Sequence, residues 1–150
     1  MRPIAHVVAS GIISAFVWVY FRSFGCAVIS FAAGVFIDLD HLIDFYTQHK
    51  FTLKFKRIYC ACRRIRFKRL YLLLHSYELI AILWLAIWLF SLSNAWKALA
   101  IGMTQHLAFD QITNPINTFG YFLTYRIFKG FKREFIIHNN LNTEAKGCPR

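Results

Sequence analysis

A chain of 150 residues holds one domain's worth of sequence. It is 57% hydrophobic, with 16 Phe, 7 Tyr and 4 Trp, and sets 18 Lys and Arg against 7 Asp and Glu. That hydrophobic share lies above the roughly 45–50% of soluble domains, and the basic residues are clustered. Both features disfavour a small soluble helical protein and favour a membrane-embedded chain with basic cytoplasmic segments.

The first apolar run, Ile4 to Phe21, is broken only by His6. Arg2 ahead of it would suit a signal peptide, but a second apolar run follows almost at once and no small-residue cleavage site stands out. Ile4–Phe21 and Phe24–Tyr46 are therefore expected as two helices of a tight hairpin. Ala5, Ala9, Ser10 and Ser14 on one, and Ala27, Ala32, Ala33 and Gly34 on the other, are small enough for close approach.

The second run ends in GVFIDLDHLIDFY, which holds Asp38, Asp40, His41 and Asp44. Carboxylates ending an apolar helix are costly unless paired, protonated or bound to a cation. On a helix, Asp40, His41 and Asp44 share a face and Asp38 lies one turn from His41.

Residues 47–69 break the pattern. Lys50, Lys54, Lys56, Arg57, Arg63, Arg64, Arg66, Lys68 and Arg69 alternate with aromatic and aliphatic residues. An amphipathic segment on anionic lipid headgroups is expected, with Lys54 to Arg69 as lipid- or phosphate-binding residues. Nucleic acid would use the same residues but is the less favoured partner, because no recognisable nucleic-acid-binding motif accompanies them. Of the cysteines at 26, 60, 62 and 148, no pair has CxxC spacing, so ordinary reduced thiols are expected.

Leu70 to Ser93 forms the third apolar run and carries His75, Ser76 and Glu78 near its start. Ala95 to Phe109 forms the fourth and ends in His106 and Asp110, with Asn114-Pro115 as its stop. Ile116–Phe128 is expected as an interfacial helix and the residues from 129 as a polar tail. The fold expected is thus an all-α membrane protein. A single domain over 1–128 holds a bundle of about four transmembrane helices, with a basic amphipathic cytoplasmic segment and a C-terminal interfacial helix.

With four spans, every basic residue except Arg22 and Lys97 falls on one side. The positive-inside rule makes that side, and both termini, cytoplasmic. His6, the Asp38–Asp44 cluster, His75, Glu78, His106 and Asp110 then all lie near the cytoplasmic ends of their helices. Imidazole and carboxylate donors at one depth are what a shared metal site requires. Taken singly, His75 and Glu78 could pair with each other, and His106 with Asp110.

His6 near the N-terminus, Asp38-Leu39-Asp40-His41 ending the second run, His75-Ser76 opening the third and His106-x-x-x-Asp110 ending the fourth resemble the bacterial YdjM-like integral-membrane, metal-dependent hydrolases. The pattern is also similar to the zinc-dependent phospholipase C and nuclease group. The resemblance covers roughly residues 1–115. Two positions depart from the family pattern: Ile37 stands where proline usually precedes the first Asp, and Leu70 where a further His is usual.

The resemblance implies metal-assisted hydrolysis in the bacterial inner membrane. One or two divalent ions would be held by His6, Asp40, His41, His106 and Asp110, with Asp38 and His75 as further ligands. Asp44 or Glu78 would serve as general base or orienting group. The mixed donor set suits zinc, manganese or iron better than calcium. The site's depth below a basic segment suits an amphiphilic, anionic substrate such as a lipid phosphoester. The alternative is a non-catalytic membrane protein that binds metal for structure or docks a partner on the basic segment.

Overall fold

The computed structural model describes residues 3–48, 69–114 and 116–137. Among these residues the regular elements are all helical. They are α1 (Pro3–Phe21), α2 (Phe24–Phe36), α3 (Asp40–Gln48), α4 (Tyr77–Leu89), α5 (Asn94–Thr113), α6 (Leu123–Phe128) and α7 (Arg133–Ile136). Short 3-10 turns cover Ile37–Leu39 and Thr118–Tyr121. The basic segment around Lys54, Lys56, Arg57, Arg63, Arg64, Arg66 and Lys68 lies outside the described residues, as do those from 138 onward.

Local chemistry sets the boundaries. Ser23 caps α2, its hydroxyl accepting from the Cys26 N–H at 3.4 Å, and Ser76 caps α4 in the same way through Leu79 N–H. Helix α5 ends at Thr113 because Pro115 disfavours helical backbone at the residue before it, and Asn114 is extended (φ −98°, ψ 149°). The second apolar run, expected as one helix to Tyr46, is broken by the 3-10 turn at Ile37–Leu39. Short Asp side chains compete for local backbone groups, so Asp38 and Asp40 favour such an interruption.

The chain divides into two compact units. The first comprises Met1–Ile37 and Leu74–Asn114 and contains α1, α2, α4 and α5. Here α5 packs on α2 and α1 at very short range. A Cβ at Gly34 would lie 2.5 Å from Ser10 Oγ and 2.7 Å from Gln105 Nε2, and a Cβ at Gly102 would collide with the Ser30 carbonyl. Small residues thus let polar backbone and side chains meet across the helices. Val17, Cys26 and Ala98 form an apolar core at the end of the unit where α1 turns into α2. Helix α4 is antiparallel to α5, with Trp84 Nε1 donating to Thr104 Oγ1 at 3.1 Å and Tyr77 hydroxyl donating to Gln111 Oε1.

The outer faces of this unit are apolar. Ile4, Phe16 and Val19 on α1, and Ile82, Trp88 and Leu89 on α4, are all more than half exposed. Two helical stretches, Ile4–Phe21 and Phe24–Gln48, are long and apolar enough to cross a membrane, and Tyr77–Leu89 is a shorter apolar helix.

The second unit comprises Asp38–Leu73 and Pro115–Arg150. Its core is Phe45, Leu70, Leu72, Tyr121 and Ile136, each at most 1% exposed. The extended residues 69–72 are gripped from several sides. Gln48 donates through Nε2 to the Arg69 carbonyl at 2.6 Å and accepts from the Arg69 N–H at 3.0 Å. Asp44 Oδ1 accepts from Tyr71 N–H at 3.0 Å, and Leu70 N–H donates to the Phe131 carbonyl at 2.9 Å. Arg126 Nη1 donates to the carbonyls of Tyr71 (2.7 Å) and Leu72 (2.5 Å).

Candidate metal centre

The first unit gathers His6, His75, His106 and Asp110 into one buried cluster. His6 comes from the first turns of α1, His75 from just before the Ser76 cap of α4, and His106 and Asp110 from one face of α5 at i,i+4. They are 3%, 1%, 0% and 0% exposed. His6 Nε2 lies 3.1 Å from Asp110 Oδ1, while His75 Nε2 and His106 Nε2 lie 3.4 and 3.6 Å from Asp110 Oδ2. The His6 ring lies tilted by 34° against His106 with centroids 4.7 Å apart, and meets Phe109 edge-on at 4.9 Å.

One contact orients the cluster. His106 Nδ1 lies 2.6 Å from the Gly34 carbonyl oxygen. A carbonyl only accepts, so this nitrogen carries the proton, and Nε2 is the ring atom left to face Asp110, as a metal ligand when neutral or as a donor to the carboxylate when the ring is protonated. Histidine ligands of metals are held in this way, with the far ring nitrogen donating to a carbonyl or carboxylate.

The donor set fits a divalent ion. Tetrahedral coordination at about 2.0–2.1 Å places neighbouring donors roughly 3.3 Å apart. His75 Nε2 and His106 Nε2 lie slightly beyond that separation from Asp110 Oδ2, and the donor atoms of His75, His106 and Asp110 all lie within 4.8 Å of one another. Neither Asp110 oxygen accepts an ordinary hydrogen bond among the described residues, although both are buried. A fully buried carboxylate needs a positive partner, from an ion or from a protonated imidazole. His6 faces the other oxygen, Oδ1. The carboxylate therefore has two imidazoles on one oxygen and one on the other.

Glu78, expected as a base or orienting group, accepts from the Ser76 hydroxyl at 2.7 Å beside His75 in sequence. Asp38, Asp40, His41 and Asp44 belong to the second unit. There Asp40, His41 and Asp44 share the buried face of α3, and Asp38 Oδ1 lies 3.7 Å from His41 Nε2. Asp44 binds backbone through Tyr71 N–H. Of the expected lipid-binding residues only Arg69 is described, and it is exposed.

Two features escape sequence reasoning. Arg126 was expected among the cytoplasmic basic residues of an interfacial helix, yet its side chain is fully buried on the 71–72 backbone. Gly34 has the look of a packing residue, but its carbonyl also sets the tautomer of His106. The small size of residue 34 signals the close approach and gives no hint of the acceptor.

No family model, curated protein or solved structure matches the chain.

Proposed function

We propose that this chain is an integral-membrane, metal-dependent hydrolase of the YdjM-like kind, acting on a phosphoester of an amphiphilic, anionic lipid. The observation that carries the reading is the convergence of three imidazole Nε2 atoms on the buried Asp110 carboxylate, with the His106 tautomer set by Gly34.

His75, His106 and Asp110 Oδ2 would hold one divalent ion, zinc in preference to manganese or iron. When bound, the ion supplies an acidified water and polarises a phosphoryl oxygen. His6 on Asp110 Oδ1 orients the carboxylate or serves a second ion. Glu78, fixed by Ser76, is the nearest carboxylate in sequence to His75 and is the candidate proton acceptor.

The membrane setting rests on the exposed apolar faces of α1 and α4, since a soluble monomer rarely exposes a contiguous apolar surface of this extent. Four spans with both termini cytoplasmic agree with the distribution of Lys and Arg. The basic segment at 50–69 would hold the anionic headgroups of membrane and substrate.

A second reading has an observation in its favour. All four donors are nearly inaccessible, and closed sites are a mark of structural metals. Phosphoester hydrolysis by purified protein in vesicles containing a polyprenyl phosphate or phospholipid separates the two. Metal-dependent phosphate or headgroup release that Glu78→Gln and His106→Ala each abolish supports the hydrolase. Bound metal without any release leaves the structural site.

A further inference from the structure

Each oxygen of the Asp110 carboxylate faces imidazole on its own side. His75 and His106 stand on Oδ2, and His6 Nε2 lies 3.1 Å from Oδ1. A carboxylate with ligand nitrogens on both oxygens has the shape of a bridge between two cations, as in two-metal sites with ions about 3.5–4 Å apart. An ion held on Oδ2 leaves Oδ1 and His6 as two donors of a second position. Two donors alone do not hold an ion, so a third must come from the same unit.

Asn114, the last residue of that unit, carries an anomaly. It is 7% exposed, and neither its carboxamide oxygen nor its carboxamide nitrogen has a hydrogen-bond partner among the described residues. Buried amides are ordinarily paired, so the unmet atoms point to a ligand. Helix α5 sets where the carboxamide lies. The Asn114 N–H donates to the Asp110 carbonyl at 2.8 Å, which keeps residue 114 in helical register four positions after Asp110. Residues four apart share a face, and helical side chains lean back toward the N-terminus, so Asn114 leans toward the turn that bears Asp110. The sign of the local field selects the ligand. The last carbonyls of a helix carry partial negative charge, which favours a cation there over an anion such as phosphate.

We infer that Asn114 Oδ1, Asp110 Oδ1 and His6 Nε2 form a second divalent-cation position, with Asp110 bridging it to the ion held by His75 and His106. The inference rests on the proposed metal-dependent reading and adds one ion and one ligand to it. The two positions differ in chemistry. The first has two imidazoles and one oxygen, and the second has one imidazole and two oxygens. Oxygen donors suit manganese, whereas zinc binds imidazole sites more tightly than manganese does. Zinc in the first position and manganese in the second is therefore the combination that tells them apart. Three protein donors also leave coordination positions for water or a phosphoryl oxygen, as catalytic ions require and closed structural ions do not.

Manganese binding to zinc-loaded protein tests this. The full chain in detergent is stripped with chelator, given one equivalent of zinc and titrated with manganese(II). Bound manganese is counted from the loss of the free-ion EPR signal, and zinc by elemental analysis. Wild-type protein should bind one manganese per chain and keep its zinc. Asn114→Leu, which has the carboxamide's shape without its oxygen, should keep the zinc and bind manganese roughly tenfold or more weakly. Without metal it should unfold at or above the wild-type temperature, because an unmet buried amide has been removed. Asn114→Asp keeps the oxygen, loses the N–H donors and should restore manganese binding. Should Asn114→Leu not accumulate, Asn114→Ala removes the same oxygen. If Asn114→Asp fails to restore binding, the carboxamide acts as a donor and the inference is overturned. Equal manganese binding by wild type and Asn114→Leu, or none by wild-type protein that holds its zinc, overturns it and leaves the first ion in place. Protein that holds neither ion contradicts the proposed hydrolase as well.

Discussion

His106 Nδ1 and the Gly34 carbonyl oxygen are 2.6 Å apart, and this contact ties the α5 face that bears Asp110 to the end of α2. The backbone reaches that position because residue 34 has no Cβ. Ser10 Oγ and Gln105 Nε2 occupy the space a Cβ would take. Packing and chemistry are thus joined at one residue.

Gly34→Ala is therefore expected to act on both. The added methyl meets Ser10 at 2.5 Å and 3.1 Å, so α1 and α2 must part. Overpacking of this kind costs about 1–3 kcal/mol, and loss of an orienting partner lowers metal affinity by roughly 10–100-fold. Thermal unfolding in detergent and metal titration of the same sample measure the two effects. Unchanged metal affinity would detach the Gly34 carbonyl from ligand orientation.

Bound metal is expected to be released as pH falls. Protons and metal compete for the same Nε2 atoms of His75 and His106, so acid favours the imidazolium forms and weakens binding, while a rise in pH strengthens it. Metal retention after dialysis across a pH series reads the sign directly. Retention that improves toward acid would contradict imidazole ligation.

In the second unit, Arg126→Met is expected to destabilise strongly. The guanidinium satisfies the carbonyls of Tyr71 and Leu72, and its loss leaves buried acceptors unmet. The cost is about 2–4 kcal/mol. Gln48→Ala removes hydrogen bonds to Arg69 at the exposed edge of the same segment and should cost about 1 kcal/mol or less. Denaturation midpoints that rank the two variants the other way would contradict this picture of the 69–72 segment.

Trp fluorescence tests the membrane setting. The four tryptophans, Trp18, Trp84, Trp88 and Trp96, are all more than a third exposed on the first unit. In vesicles they should be quenched by brominated lipid and spared by aqueous iodide. Efficient iodide quenching of all four would mean that these faces lie in water.

How much of this was legible in the sequence differs by residue. The all-helical character and the end of α5 before Pro115 follow from apolar runs and proline chemistry. That His6, His75, His106 and Asp110 share a level follows from helix direction, because each stands at the same end of its run. The interruption at Ile37–Leu39 was not legible: a uniform apolar-to-polar transition reads as one helix, and the weak helix preference of Asp38 and Asp40 does not by itself mark a break. Arg126 was misplaced because periodicity cannot tell a basic residue facing headgroups from one that meets two carbonyls contributed from 54 and 55 positions away. Ser10 reads as a spacer, since Gln105, the partner that gives its hydroxyl meaning, lies on another helix.

The central claim is that His75, His106 and Asp110 hold a divalent ion, and elemental analysis of detergent-purified protein tests it most directly. Wild-type protein should retain zinc, manganese or iron, and His106→Ala and Asp110→Asn should each lose it while remaining folded by circular dichroism. Folded wild-type protein without metal after purification in metal-replete buffer, or metal retained in both variants, would contradict the claim.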